Sequence, residues 1–386
     1  MKRKFSRLST SKKTKTFDKL WHPIKHLSSR IPQLTSRGDR PLQMNFESEL
    51  KALVFFHLED HHSGRHLIQV LERDDFARRH IAPEAGIKKS SFFEAINTRG
   101  LEQLSYVFKE LYVQASETLP KEYEHLGDLV AIDGSLINAV LSMNWADYRE
   151  GSKKAKIHLG FDVNRSIPSK IFLTTGNATE RPFVSQILSP GQTGIIDRGY
   201  QSHPLFDQWQ KDRIYFICRI KADTLKHCIQ MNPVPDQSIV FYDAVVLLGT
   251  RGVNQTKEPL RVVGYRVDGI DYWIATNRYD LSGEEIALAY KLRWDIENFF
   301  AWWKRHLKVY HLIVRSEYGL MVQILSGLIT YLLLAIYCHE NYNEKVNIKR
   351  VRELRIQIQN EARESGDDLD YSNRKSQMGA KHSAKT

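Results

Sequence analysis

The feature that most constrains the fold of this chain is a change of apolar period at Pro120. From Asn45 to about Leu119, apolar residues recur at helical spacing, first Leu50, Leu53, Val54 and Leu58, then Leu67, Val70, Leu71 and Phe76. Beyond Pro120, short β-rich runs take over: LVAID (Leu129 to Asp133), KIHLGFDV (Lys156 to Val163) and SKIFLTT (Ser169 to Thr175), the last two close enough for a hairpin. A helical stretch near Pro182 to Leu188, the strand TGIID (Thr193 to Asp197), a helix near Pro204 to Lys211 and the strand RIYFICRI (Arg213 to Ile220) follow. The order β-β-β-α-β-α-β describes an α/β core. Residues from about 221 to 280 read as further strands (SIVFYDAVVLL, PLRVVGYRV, DYWIATN), an all-β insertion ahead of a strong helix that begins near Ser282.

Four regions follow: a basic arm at 1–40, a small helical domain at 41–120, the α/β core at 121–340, and a polar, partly disordered tail at 341–386. One amphipathic stretch near Val346 to Ile358 lies in the tail, which is expected to fray after Glu361. The formal charge of +11 is uneven. Residues 1–40 hold twelve Lys/Arg against two acids and residues 345–386 ten against six, leaving −3 for the middle. A polyanionic partner is thus suggested by the ends, which could neutralise phosphates without reading a base sequence; a solvated tail is the competing reading for each. The arm, interrupted by Pro23 and Pro32, reads as at most one short helix whose order depends on a partner.

Ser90 to Arg99, SSFFEAINTR, has capping-box spacing at Ser91 and Glu94 and is either a helix that enters a DNA groove or a plain packing helix. His57, Glu59, Asp60, His61, His62 and His66 are metal-ligand types without a recognised ligand spacing. The three cysteines, Cys218, Cys228 and Cys338, form no CxxC pair, which argues against a disulfide framework or a cysteine-rich zinc site and fits a reducing cytosol. The N-terminus lacks the apolar segment of a secretory signal. Gly319 to Cys338 is uncharged and long enough to cross a bilayer, but it contains Gln323, Ser326, Thr330 and Tyr331, and a buried core helix is the better reading.

Chemistry is suggested first by Asp133 and Asp197. Each ends an apolar β run and is followed within two residues by glycine, in AIDG and IIDRG. Carboxylates at strand ends suit Mg²⁺, which takes one or two acids plus water and phosphate oxygens; a turn or cap role is equally open to either aspartate alone. In YKLRWDIENFFAWWKRHLK, Tyr290 to Lys308, helical geometry at about 100° per residue places Tyr290, Arg293, Glu297 and Lys304 on one narrow face. Leu292, Ile296, Phe299, Phe300, Trp303 and Leu307 fall on the opposite face, ready to bury. An ordinary i, i+4 pair accounts for Arg293 and Glu297 but leaves Tyr290 and Lys304 unexplained. A phosphoryl-transfer site uses all four, with Glu297 on metal and the others at flanking phosphates.

That segment resembles the insertion-sequence transposases of the DDE class with a Y-(2)-R-(3)-E-(6)-K signature, the insertion-sequence-four group. Tyr290, Arg293, Glu297 and Lys304 match its spacing, AIDGS and IIDRGY resemble the family's two aspartate motifs, and the likeness covers about residues 125 to 335. The resemblance implies an α/β RNase H-like catalytic core with an all-β insertion, preceded by a small helical DNA-binding domain. It also implies Asp133, Asp197 and Glu297 as catalytic and metal-binding acids, Mg²⁺ as cofactor with Mn²⁺ as a substitute, and Tyr290, Arg293 and Lys304 on DNA. The implied partners are double-stranded DNA, as transposon ends and target, and a second copy in a synaptic homodimer; a cytoplasmic, nucleoid-associated location without a membrane is expected.

The expected reaction is cut-and-paste transposition, cleavage at the ends and joining of 3′-OH ends to target DNA by two-metal phosphoryl transfer, which requires no Cys or His nucleophile. A nuclease on the same fold and a non-catalytic transposon-derived DNA-binding protein are the alternatives. Two places depart from the pattern. Relatives often carry a His-Asp pair after the third core strand where this chain has Asn177-Ala178-Thr179-Glu180, so Glu180 either substitutes or has no part. In related enzymes the insertion can supply a tryptophan that stacks on a flipped base; Trp273, in YWIAT, is the one tryptophan of this insertion, and its strand-like setting favours core packing.

Overall fold

The computed structural model describes residues 16–361 apart from 35–41, 43, 60, 62, 84–85 and 140–141. Two compact units are formed, one from the residues up to Leu111 together with those from Ile329 onward, the other from Tyr112 to Leu328. The first is helical: α1 (Thr16–Lys25), α2 (Phe46–Leu58), α3 (Gly64–Arg73), α4 (Asp75–His80), α5 (Lys89–Thr98), most of α6 (Leu101–Thr118), the end of α11 (Glu317–Tyr342) and a helical stretch over 348–361. Side chains set several starts. Asn45, Ser63 and Asp74 accept from the backbone N–H groups of Ser48, His66 and Ala77, satisfying donors that a helix start leaves open.

Two expectations are corrected here. The basic arm is not awaiting a partner throughout: α1 buries Phe17, Leu20, Trp21 and Ile24 inside its unit, and Phe17 packs edge-on against Phe76 at 5.6 Å. Those four residues have helical spacing, and Pro23 is tolerated near the helix end. Residues 1–15 lie outside the described residues. Helix α5, in turn, starts one residue before the serines, with Lys88 at the N-cap and no side-chain cap bond, so Ser91 does not begin a capping box. Of the histidine-rich cluster, Asp60 and His62 lie outside the described residues, while His57 and His61 are buried against Phe55 and Phe56.

The second unit is a mixed α/β layer structure built on one ten-stranded sheet. Its elements are β1 (Leu129–Asn138), β2 (Asp147–Arg149), β3 (Ser152–Asp162), β4 (Ile167–Thr175), α7 (Val184–Ile187), β5 (Thr193–Ile196), α8 (His203–Lys211) and β6 (Tyr215–Arg219). Then come β7 (Lys226–Met231), β8 (Val240–Leu248), β9 (Leu260–Val267), β10 (Ile270–Thr276), α9 (Gly283–Leu292), α10 (Trp294–His306) and the start of α11. The sheet runs β3-β1-β5-β6-β10-β9-β8-β7, with β2 and β4 both on the far edge of β3. Pairs β1–β5 and β5–β6 are parallel and the rest antiparallel. Strands read as an insertion therefore continue the core sheet, because β10 pairs with β6.

Buried polar side chains lock this frame. Asn164 accepts from Leu129 N–H at 2.8 Å and donates to Glu122 O and Gly127 O, fixing where β1 starts. Arg278 donates to Leu126 O and Thr193 Oγ1 and pairs with Asp280, tying the end of β10 to the starts of β1 and β5. One face of the sheet packs Ile132, Ile196, Tyr200, Phe206, Trp209 and Phe216 under α7 and α8. The apolar set predicted for α10 is buried, Ile296, Trp303 and Leu307 completely. Helix α11 is long and apolar enough to cross a membrane, and the most apolar window of that helix is 94% buried within the structure.

Candidate active site

Where β1 and β5 stop pairing, two carboxylates meet. The parallel register runs from Leu129↔Thr193 to Ala131↔Ile195; Asp133 and Asp197 fall just beyond it, as neighbours. The sequence reading put Asp133 at a strand end. Instead β1 continues to Asn138, held by β3 opposite Leu159, and only the β5 side of Asp133 is open. Both aspartates also serve their own loops: Asp133 Oδ1 accepts from Gly134 N–H at 2.8 Å, and Asp197 Oδ1 accepts from Gly199 N–H at 2.6 Å as N-cap of the turn Arg198–Tyr200. Cap and ligand roles are compatible, because each carboxylate keeps a second oxygen. Partial burial pushes the Asp133 carboxyl up to about 7; the Gly134 N–H and Arg293 pull it down, while Glu180 and Asp197 raise it.

The third acid arrives from α10. Continuous helical geometry over Tyr290 to Lys308 was the expectation, but two helices form with a break at Arg293, where Arg293 N–H bonds Tyr290 O and Ile296 N–H bonds Arg293 O across three residues. Such tight turns shift the face that follows. Arg293 Nη1 pairs with Glu297 Oε1 at 2.7 Å, and the guanidinium lies 5.7 Å from the centroid of the Tyr290 ring. Arg293, paired with Glu297, also pulls down the pKa of Asp133, so the charge beside the helix acid is felt at one of the strand acids. Lys304 reaches back to β1, bonding Ser135 Oγ and, at 3.2 Å, Leu136 O.

Of the six residues singled out in the sequence, Asp133, Asp197, Arg293 and Glu297 are each partly accessible. Tyr290 and Lys304 are placed differently from the expectation of phosphate contacts, the first 6% exposed and the second engaged with β1. Trp273 packs edge-on against Phe241 and Tyr242, with Lys226 Nζ 4.2 Å from the ring centroid. Glu180, which the sequence left open as a substitute, lies beside Gly134, and Tyr200 is the addition the structure makes. A Cβ on Gly134 would lie 2.5 Å from Glu180 Oε1, so the glycine of AIDG leaves room for this carboxylate. Glu180 pairs with Lys156 at 3.1 Å. Tyr200 is buried with its hydroxyl turned to the Glu180 carboxylate, and burial, followed by Glu180, Asp133 and Asp197, raises its pKa.

Asp133, Asp197 and Glu297 offer carboxylate oxygens, the donors that suit a hard divalent cation. Among the described residues no three His, Cys, Asp or Glu side chains converge as a ready cage, these acids included. Glu297 pairs with Arg293 and Glu180 with Lys156. Asp133, Asp197 and Glu297 each keep a carboxylate oxygen that a hard divalent cation could take, so the donor chemistry fits the group.

Asp133 and Asp197, just past the paired positions of two parallel strands, and the Arg293–Glu297 pair of a later helix belong to one α/β unit. Comparison with known proteins agrees: residues 124–333 match the family model described as "Transposase DDE domain". The chain belongs to the DDE transposase-domain family. It is 28% identical over 206 residues to a protein named as a transposase for insertion sequence element IS5377 in Geobacillus stearothermophilus, covering 53% of this chain and 54% of that one. It is 26% identical to the protein named as transposase y4zB of Sinorhizobium fredii, covering 61% and 68%. A third relative, named as a transposase for insertion sequence element IS4SA of a Synechocystis species, is 24% identical over 69% of this chain and 77% of its own length. The chain thus spans only about half the length of the first of these relatives.

Proposed function

We propose that this protein is a DNA transposase of an insertion sequence, of the YREK-signature group, acting by cut-and-paste transposition through Asp133, Asp197 and Glu297. The observation that carries the reading is the placement of Asp133 and Asp197 just past the β1–β5 ladder, with Arg293, the partner of Glu297, acting on Asp133. The strand order β4-β3-β1-β5-β6, with helices between β4 and β6, supports an RNase H-like core. Helices α2 to α5 are the proposed DNA-binding region; α5 buries Phe92, Ala95 and Ile96 and presents Lys89, Ser90, Glu94 and Thr98 to solvent.

In this reading the three acids hold two Mg²⁺ ions, or Mn²⁺. Bound there, such ions neutralise phosphate charge and lower the cost of deprotonating the attacking oxygen. The remaining work is done by the chain. Arg293 holds Glu297 toward the strand acids and, once Glu297 turns to metal, becomes a donor for a strand phosphate. Lys304 braces α10 on β1 through Ser135 and Leu136, and Tyr290 supports the Arg293 guanidinium from below. Joining two ends to one target requires two copies, so a homodimer on double-stranded DNA is the proposed active form.

The test is incubation with Mg²⁺ and duplex DNA bearing the element's ends, ending either in a 3′-OH or in a 3′-deoxy nucleotide. Strand joining from the 3′-OH substrate alone supports a transposase. Hydrolytic nicks in both, with no joined product, would make the protein a nuclease on this fold; binding without either product would make it a non-catalytic DNA-binding protein.

A further inference from the structure

The strands that carry Asp133 and Asp197 have a third neighbour. The parallel ladder joins Ala131 to Ile195 and Ile195 to Ile217 across β1, β5 and β6, and the last pair of β5 and β6 is Ile196↔Cys218. One step on, Asp197 comes beside Arg219, the final residue of β6, and Cys218 Sγ lies 3.6 Å from Asp197 O there. Side chains alternate across a strand. Ile132, Ile196 and Cys218 belong to the apolar cluster under α7 and α8, so Asp133, Asp197 and Arg219 form a row on the opposite face.

That face meets α9. Arg219 stands opposite Ile274 of β10, and its guanidinium lies 4.7 Å from the centroid of the Tyr272 ring, two residues away on the same face. Tyr272 stacks on Tyr265 of β9 at 5.1 Å and lies 6.4 Å from the ring of Tyr290 on α9. Burial raises the pKa of the Tyr290 hydroxyl, Arg293 and Arg219 pull it down and Asp197 raises it, so two guanidiniums and a strand acid act on one ring. Arg219 differs from the other arginines set into this sheet. Arg261 and Arg278 each meet a carboxylate and backbone carbonyls. Among the described residues the half-buried Arg219 guanidinium makes no hydrogen bond or ion pair. A partly desolvated cation without an acceptor is costly, and a guanidinium seated on an aromatic face keeps its edge N–H groups for an anion such as phosphate.

We propose that Arg219 binds a backbone phosphate of the DNA strand close to the one that reacts, as the third member of the row begun by Asp133 and Asp197. The proposal rests on the reading of that row as part of a phosphoryl-transfer centre. Neighbouring strands lie about 4.8 Å apart, so Arg219 stands one spacing from Asp197 and two, roughly 10 Å, from Asp133. At about 3.4 Å of axis per nucleotide, a strand laid along the row passes Arg219 within about three nucleotides of the reacting phosphate. Such a contact fixes where the strand lies without reading a base.

The test measures cutting or joining by the full chain in Mg²⁺ on duplex DNA bearing the element's ends. A neutral methylphosphonate replaces one phosphate at a time within about three nucleotides of the reacting one. In wild type, one such replacement slows the reaction roughly tenfold to a hundredfold. Arg219→Met slows the unmodified substrate by a similar factor, melts as wild type does, and loses nothing further from that one replacement. If Arg219 only packs on Tyr272, Arg219→Met melts lower and every methylphosphonate acts on it as on wild type; that result overturns the phosphate contact and leaves the site reading standing. Product at the wild-type rate in Asp197→Asn brings down both. Should Arg219→Met fail to fold, Arg219→Gln takes its place in the scan, and a wild type indifferent to every methylphosphonate overturns the proposal without any variant.

Discussion

Glu49, on α2, is fully buried with neither carboxylate oxygen hydrogen-bonded, and burial pushes its pKa up to about 8 against a partial pull from Arg99. The folded value lies above the ordinary glutamate value of 4.5, so the stability it contributes is complete below that pH and lost as pH rises through 8. Melting temperature should therefore fall from pH 4.5 to pH 8 in wild type and stay flatter in Glu49→Gln, a difference on the order of 5 kcal/mol at the alkaline end; parallel curves would refute the assignment. At the same scale, the strand and helix acids were legible because spacing and neighbours expose them: two Asp-Gly endings and a Y-R-E-K helix face. Glu180 stood out only as a departure from the pattern, and its setting was not readable: neither the space above Gly134 that admits it nor the burial of Tyr200 has a signature along the chain.

Among the elements, the join between β8, β9 and α9 hangs on one buried ion pair. Arg261 Nε and Nη2 bond the two oxygens of Asp243 at 3.0 and 2.7 Å, and Nη1 bonds Arg278 O and Leu281 O, just before the Ser282 capping box that starts α9. Asp243→Ala leaves the guanidinium buried and half-satisfied and should cost about 3 to 5 kcal/mol in chemical denaturation. Paired replacement of both by apolar residues of similar size should recover most of that loss; equal destabilisation by single and double variants would contradict it. Periodicity made the core strands and the buried face of α10 readable, since both repeat over many residues. The break at Arg293 was not readable, because a single three-residue hydrogen bond interrupts a helix without altering its composition. Helix α1 was hidden by its basic neighbours, although Phe17, Leu20, Trp21 and Ile24 carry the helical period.

For the whole molecule, strands β7 to β10 extend the catalytic sheet, so the site sits on one hydrogen-bonded platform running from β2 to β7. Pairing between β6 and β10 joins residues some sixty positions apart, and no local pattern announces it. Charge is the other global feature. Residues 1–15 carry seven Lys/Arg, so their deletion should flatten the slope of log affinity for DNA against log salt by up to about 6, without altering sequence preference; an unchanged slope would show that these cations do not meet phosphate. The central claim, that Asp133, Asp197 and Glu297 form one phosphoryl-transfer centre, is tested most directly by measuring joined product in Mg²⁺ for Asp133→Asn, Asp197→Asn and Glu297→Gln at matched DNA occupancy. Each should bind DNA as wild type does and lose joining by about a hundredfold or more. Joining at the wild-type rate in any one of them would contradict the account.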